Sequence, residues 1–171
     1  METIAIYSES IISTYGFNLL ERLTMGHAEV TFDQLKRWGA FMGDIAHEPA
    51  FRLVWAQRCR PDRIKFYILC DDNQYHKLTP FFDQCTEDKA GAWRRCTEAV
   101  DLLYFQGPHF GDRYGIMDYT QQALTDKQIP VLAAVCSVAT IYLVLPGGRG
   151  ETAKNELTCV FNIPMQKRTI T

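Results

Sequence analysis

Residues 107–115 read "GPHFGDRYG", a loop sequence that places glycine at 107, 111 and 115 around His109, Asp112 and Tyr114. An apolar run precedes it and a helical pattern follows, so a strand should run through this loop into a helix. The first N–H groups of such a helix lack intrahelical partners and point at whatever occupies the loop, and glycine lets that occupant approach the backbone. A carboxylate suits this place. An ammonium on the same molecule needs acceptors, which loop carbonyls or the Asp112 carboxylate supply. The plain alternative for Asp112 is helix capping, worth about 1 kcal/mol. A related stretch, "ISTYGF", lies near the N-terminus, with Ser13, Tyr15 and Gly16 in the matching places. Gly16 and Gly115 fit either tight packing of helix on sheet or close approach of a ligand. Tyr15 and Tyr114 fit either amphipathic packing or ligand contact.

Other chemistries fit less well. The glycine step of four matches neither G-x-G-x-x-G nor G-x-x-x-x-G-K-[ST], and Asp112 would repel phosphate. Hydrolase motifs of the Ser-x-x-Lys, G-x-S-x-G and H-E-x-x-H kinds are absent, and a Cys136–His109 nucleophile pair rests only on expected proximity at the loop. The chain therefore reads as a non-enzyme. Cys59, Cys70, Cys85, Cys96, Cys136 and Cys159 are widely spaced, which predicts buried small apolar residues, and the four histidines share no ligand spacing. No metal and no cofactor is expected. "LPGGRGE" reads as a turn, with Arg149 a weak candidate partner for a carboxylate.

The elements that must position the loop follow from periodicity. "TIAIY" at 3–7 alternates like a strand, and Phe17, Leu20 and Leu23 step like a helix. Phe32, Leu35, Trp38, Met42 and Ile45 mark a further helix. "FRLVWAQRC" and "RIKFYILC" are strands divided by the Arg60-Pro61-Asp62 turn, and Tyr75, Leu78, Phe82 and Cys85 predict a helix. From Trp93 to Gln106 the chain is extended. Ile116, Tyr119, Ala123 and Leu124 predict a helix ending at Gln128–Pro130. "VLAAVCS" and "TIYLVL" follow as buried strands, with a last helix on Ala153, Leu157, Val160 and Phe161 and an optional strand from Asn162.

Length and composition suit a folded protein of one ordinary or two small domains: 171 residues, 47% hydrophobic. The 18 basic and 20 acidic residues are scattered, which predicts neither nucleic-acid nor membrane binding. No secretory leader pattern or spanning run is seen, so the expected location is cytoplasmic.

Each half reads strand, helix, strand, strand, helix, strand, and the halves align. Tyr15-Gly16 and Tyr114-Gly115 lie 99 residues apart, whereas Cys59 with Cys136 and Ile64 with Ile141 lie 77 apart. The difference places an inserted helix near 31–46 in the first half. The expected fold class is α+β, two ferredoxin-like βαββαβ modules in tandem at 1–90 and 91–171, with antiparallel sheets carrying helices on one face.

On the residues "LLYFQGPHFGDRYGIMDYTQQALTDKQIPVLAAVCSVATIYLVLPGG" the second half resembles the ACT domain family, and within it the regulatory modules of aspartate kinases. That resemblance implies a non-catalytic, allosteric sensor of an amino acid or similar small metabolite that passes its occupancy to a regulated protein partner; exposed sheet edges and the extra helix predict a homodimer. The resemblance places the ligand at Gln106, Gly107, His109, Gly111, Asp112, Tyr114 and Gly115, with Cys136 and Ser137 facing them, and a second possible site at Ser8, Glu9, Ser13, Tyr15 and Gly16. The alternative is a protein-interaction or assembly module without a ligand.

Overall fold

A computed structural model describes residues 12–45, 51–76, 94–95, 99–111 and 113–163. Contacts divide them into two compact units. Residues up to Glu21 join those from Asp101 onward in a flanking unit, and Arg22–Val100 form an inserted unit.

The inserted unit begins within strand β1 (Phe17–Thr31), continues through a 3-10 turn (Phe32–Gln34) into helix α1 (Leu35–Ile45), and returns as the hairpin of β2 (Phe51–Arg60) and β3 (Arg63–Asp71). Residues 72–76 are helical, and the short strand β4 (Arg94–Arg95) pairs with β1 at Gly26 and His27. β1 lies beside β3, and β3 beside β2, all antiparallel. Opposite Cβ atoms in the pleat alternate, so Ala28, Val30, Ile68 and Cys70 share the face that Leu35, Trp38 and Met42 of α1 cover. Trp38 lies 5.3 Å from Phe66. On the other face Tyr67 stacks on Trp55 at 4.8 Å and meets His27, and Lys65 pairs with Glu29 at 2.9 Å.

The flanking unit takes the first residues of β1, Phe17–Glu21, and then β5 (Val100–Gln106), helix α2 (Ile116–Asp126), the hairpin of β6 (Ala133–Ser137) and β7 (Thr140–Pro146), and helix α3 (Gly150–Val160). Its strands lie in the order β1, β5, β7, β6. Leu103 and Phe105 of β5 and Ile141, Leu143 and Leu145 of β7 meet Ile116 and Leu124 of α2 and Ala153 and Leu157 of α3. The Phe105 ring is the hub, 4.8 Å from Phe17, 5.2 Å from Phe161 and 5.9 Å from Phe110. α3 starts on a buried carboxylate. Gly150 N–H donates to Oδ2 of Asp101 at 2.9 Å, and Asp101 is 1% exposed. A negative charge at a helix N-terminus satisfies an orphan amide and opposes the helix dipole.

Both hairpins, α1, α2 and α3 stand where their periodicity places them. Several expectations change. Phe17, Leu20 and Leu23 lie on a 15-residue strand, not on a helix. That one strand serves two cores, Phe17 and Leu19 packing in one and Ala28 and Val30 in the other. Arg22 takes a left-handed φ of 59° where the chain passes between units. The helix near 31–46 is the ordinary link from β1 to β2, and the units are nested in sequence, not consecutive at 1–90 and 91–171. Tyr15-Gly16 precedes a strand, whereas Tyr114-Gly115 precedes a helix. β6 is half exposed because it is the last strand of its sheet. Cys70 is buried, but Cys59, Cys136 and Cys159 are exposed. The strand expected at 3–7, most of the helix expected from Tyr75 to Cys85, and the tail beyond Ile163 lie outside the described residues.

Two glycines in helices separate packing from propensity. A Cβ on Gly150 would collide with Leu19 and press on Asp101, whereas one on Gly39 of α1 meets open space. Gly150→Ala should cost about 1–3 kcal/mol, as overpacking does. Gly39→Ala should gain about 0.5–1 kcal/mol from helix propensity. Urea unfolding of the two variants beside the parent chain measures both signs.

Candidate functional site

The loop between β5 and α2 is anchored at its start. The Gln106 carbonyl accepts from Thr14 Oγ1 at 2.8 Å and from Tyr15 N–H at 2.9 Å, which ends β5 at that residue. Gly107 follows in a cramped position where any Cβ would strike the Phe110 ring and the Ser13 carbonyl. Phe110 then turns inward against Phe105, and His109 makes the reversal with a φ of 62°. Gly115 closes the loop with a φ of 82° as the N-cap of α2. It carries no side chain, and no side chain caps the helix there. Glycine reaches this conformation without the penalty other residues meet.

The hairpin turn at 138–139 stands opposite that helix start. Between them lies a cavity of about 240 Å³, partly open to solvent. Phe110, Ile116, Met117 and Ile141 form its apolar floor and sides, the turn residues Val138 and Ala139 with Thr140 form the facing wall, and Arg113, Tyr114, Gly115 and Cys136 complete it. Tyr114 is 99% exposed and Val138 is 90% exposed, so two apolar side chains flank the opening. Arg113 is the one permanently charged side chain among the described lining residues. Cys136 stands on the helix-facing side of β6, opposite Ile141. The residue is exposed as a whole, but partial burial of its sulfur pushes the thiol further above neutrality than usual and lowers its reactivity.

Tyr114, Gly115 and Cys136 thus come together as the sequence suggested, and Gly111 packs at the edge, its Cβ direction 3.4 Å from the Val138 carbonyl. Gln106 and Gly107 serve the frame of the loop, and His109 and Ser137 are exposed and do not line the cavity. Asp112, Ser8 and Glu9 lie outside the described residues. Ser13, Tyr15 and Gly16 belong to this same unit, where Ser13 bridges to Asn162. The residues missed by sequence reasoning are Phe110, Arg113, Ile116, Met117 and the 138–141 wall. Their signal was present in the hairpin that follows Cys136, since only a two-residue turn separates β6 from β7.

No group of three or more His, Cys, Asp or Glu side chains among the described residues could hold a metal ion. No helix among them is long and apolar enough to cross a membrane.

Cys136 alkylation reports its environment. Iodoacetamide labelling followed by peptide mass spectrometry across pH should show Cys136 reacting with a midpoint above that of an unfolded-chain control, because its thiolate forms later. Labelling of Cys136 at or below the control midpoint overturns this.

No protein-family model matches the chain, and no curated protein sequence matches it. Solved structures do. The ligand-free regulatory subunit of aspartate kinase from Thermus thermophilus superposes with a TM-score of 0.72 at 12% identity, covering 88% of this chain and 99% of that one. The regulatory subunit from Thermus flavus gives 0.73 at 11% identity, with 88% and 99% covered. The aspartate kinase of Synechocystis gives 0.77 at 17% identity over 97% of this chain and 29% of the kinase. At these identities the likeness is one of fold, and the chain has the fold of aspartate kinase regulatory subunits and domains.

Proposed function

We propose that the chain is a non-catalytic regulatory module that binds a small metabolite, an amino acid, in the flanking-unit cavity and passes its occupancy to a protein partner. The single observation that carries this reading is the cavity itself, where an uncapped helix start, a glycine-bearing loop and a hairpin turn converge. Tyr114, Gly115 and Cys136 act in it, with Gly111 at its edge, and Asp112 stays a candidate on its sequence alone. The two units are read as ferredoxin-like modules, since the strand orders β2-β3-β1-β4 and β1-β5-β7-β6 each put a hairpin on one side of a central strand. Likeness to regulatory subunits supports a sensor over an enzyme. Occupancy would act by favouring one arrangement of modules or subunits over another.

A second reading, an assembly module without a ligand, draws on different observations. β6 is an end strand without a charged residue, and Tyr114 and Val138 are exposed beside it. Such an edge invites pairing, and a homodimer would cover it.

Thermal-shift measurement with the twenty standard amino acids at millimolar concentration separates the readings. A ligand at ten times its Kd adds about 1.4 kcal/mol of stability, which raises Tm by about 3–6 °C in a chain of this size. The sensor reading expects at least one amino acid to do so and Cys136→Phe, which fills the cavity from an exposed strand position, to abolish the shift while leaving the apo Tm in place. No shift with any of the twenty sinks it and leaves the assembly module.

A further inference from the structure

The helix-facing side of β6 is open to solvent. Ala134 and Cys136 stand on that side, paired with the core residues Leu143 and Ile141, yet both are exposed. α2 therefore does not cover the end strand, and the space left has a regular form. The cavity described above is bounded on the strand by Cys136. A second, of about 230 Å³, is bounded by Ala134, with Leu143 and Gln121 among its walls, and Met117 lines both. A third, of about 330 Å³, continues past Gln121 to Thr125, Ile129 and Pro130. The first two thus open beside residues two apart on the strand, about 7 Å, which is the repeat of side chains on one face.

The free main-chain groups fall at the same two residues. Only residues 138 and 139 join β6 to β7, so Ser137 and Thr140 close the hairpin as a hydrogen-bonded pair, and alternation gives Val135 and Ala133 the next bonds to β7. The N–H and C=O groups of Ala134 and Cys136 therefore point away from β7, along the end of the sheet. Edge strands ordinarily carry a charge against chance pairing. β6 carries none, and no charged side chain lines the second or third cavity.

We infer that the β6 edge receives an extended segment of a partner protein, which pairs with Ala134 and Cys136 and sets two apolar side chains, two residues apart, into the adjoining cavities. Residues added opposite Ala134 and Cys136 share their face, so pairing and cavity filling need one and the same register. In this mode main-chain bonds supply affinity and the pockets select side chains. A charged residue at the second cavity would lose hydration and find no counter-charge there. A second copy of this chain is a poorer occupant. Pairing of β6 with itself about Val135 would lay Cys136 over Ala134 and Ala134 over Cys136, side chains too small for cavities of about 240 and 230 Å³. The inference names the kind of partner that the regulatory reading calls for, and rests on that reading only for there being one.

Isothermal titration and amide hydrogen exchange of the full chain, in buffer free of amino acids, test this with the acetylated and amidated peptides KTLTLTK, KTATATK and KTDTDTK. KTLTLTK should bind at one molecule per chain, at least tenfold tighter than the other two, and should slow exchange of the Ala134 and Cys136 amides at least tenfold. Ala134→Pro should lose KTLTLTK with Tm kept, because an edge strand tolerates proline where its N–H has no partner. Gln121→Lys changes an exposed helix position without touching the strand, and should weaken KTLTLTK at least tenfold. The inference is overturned by equal binding of the three peptides, by no binding of KTLTLTK at millimolar concentration, by unchanged exchange at Ala134 and Cys136, or by either variant binding like the parent. A free chain that sediments as a dimer with those two amides already protected also overturns it and gives the edge to a second copy. None of these outcomes touches the metabolite reading, which the thermal-shift measurement decides by itself.

Discussion

One strand has to serve two cores. β1 gives Phe17 and Leu19 to the flanking-unit core and, after Arg22, Ala28 and Val30 to the inserted-unit core. The helix-covered positions change from odd to even along it, and a pleated strand can change that parity only by a local departure from extended backbone. Arg22 makes the departure with its left-handed φ of 59°. An arginine in that region costs energy that surrounding structure must offset. The paired residues that follow it do so, Leu23 through Thr31 being matched in unbroken register with Asp71 through Arg63.

The nesting that follows from β1 also fixes the candidate site. Because the segment before β1 returns to the end of β5, Thr14 and Tyr15 hold the Gln106 carbonyl, and Asn162 after α3 is held by Ser13 and Ile12. The loop to α2 therefore starts at a pinned point. Gly107 is needed because Phe110 and the Ser13 carbonyl leave no room for a side chain, and Gly115 because the chain enters α2 through a left-handed conformation. Neither glycine's requirement depends on a ligand. What the ligand reading depends on is the remaining space, bounded by Ile116 and Met117 on the helix and by Val138 to Ile141 on the hairpin.

The two units show one frame used in two ways. The inserted unit ties its helix start to its turn through Phe32 N–H on the Asp62 carbonyl and Arg58 on the Pro61 carbonyl. The flanking unit spends nine residues, 107–115, between strand and helix, and the longer path holds helix and turn apart. Loop length costs little stability, since closure entropy grows only with its logarithm.

Much was legible in the sequence. Alternation and turn chemistry located both hairpins, with Arg60-Pro61-Asp62 and the Cys136–Ile141 spacing marking equivalent turns, because these depend on residues close in the chain. Helical spacing located α1, α2 and α3 for the same reason; the glycine loop singled out Tyr114 and Gly115, and the family resemblance set Cys136 across from them. Tertiary structure decided the rest. Phe17, Leu20 and Leu23 step like a helix yet lie on a strand that two cores share. The tandem boundary near residue 90 could not reveal that the first residues pair with a strand more than eighty positions later, since pairing over that distance leaves no local pattern. The cavity walls at Phe110, Arg113 and Val138 depended likewise on how a loop and a distant turn face each other, which is a matter of packing and not of spacing.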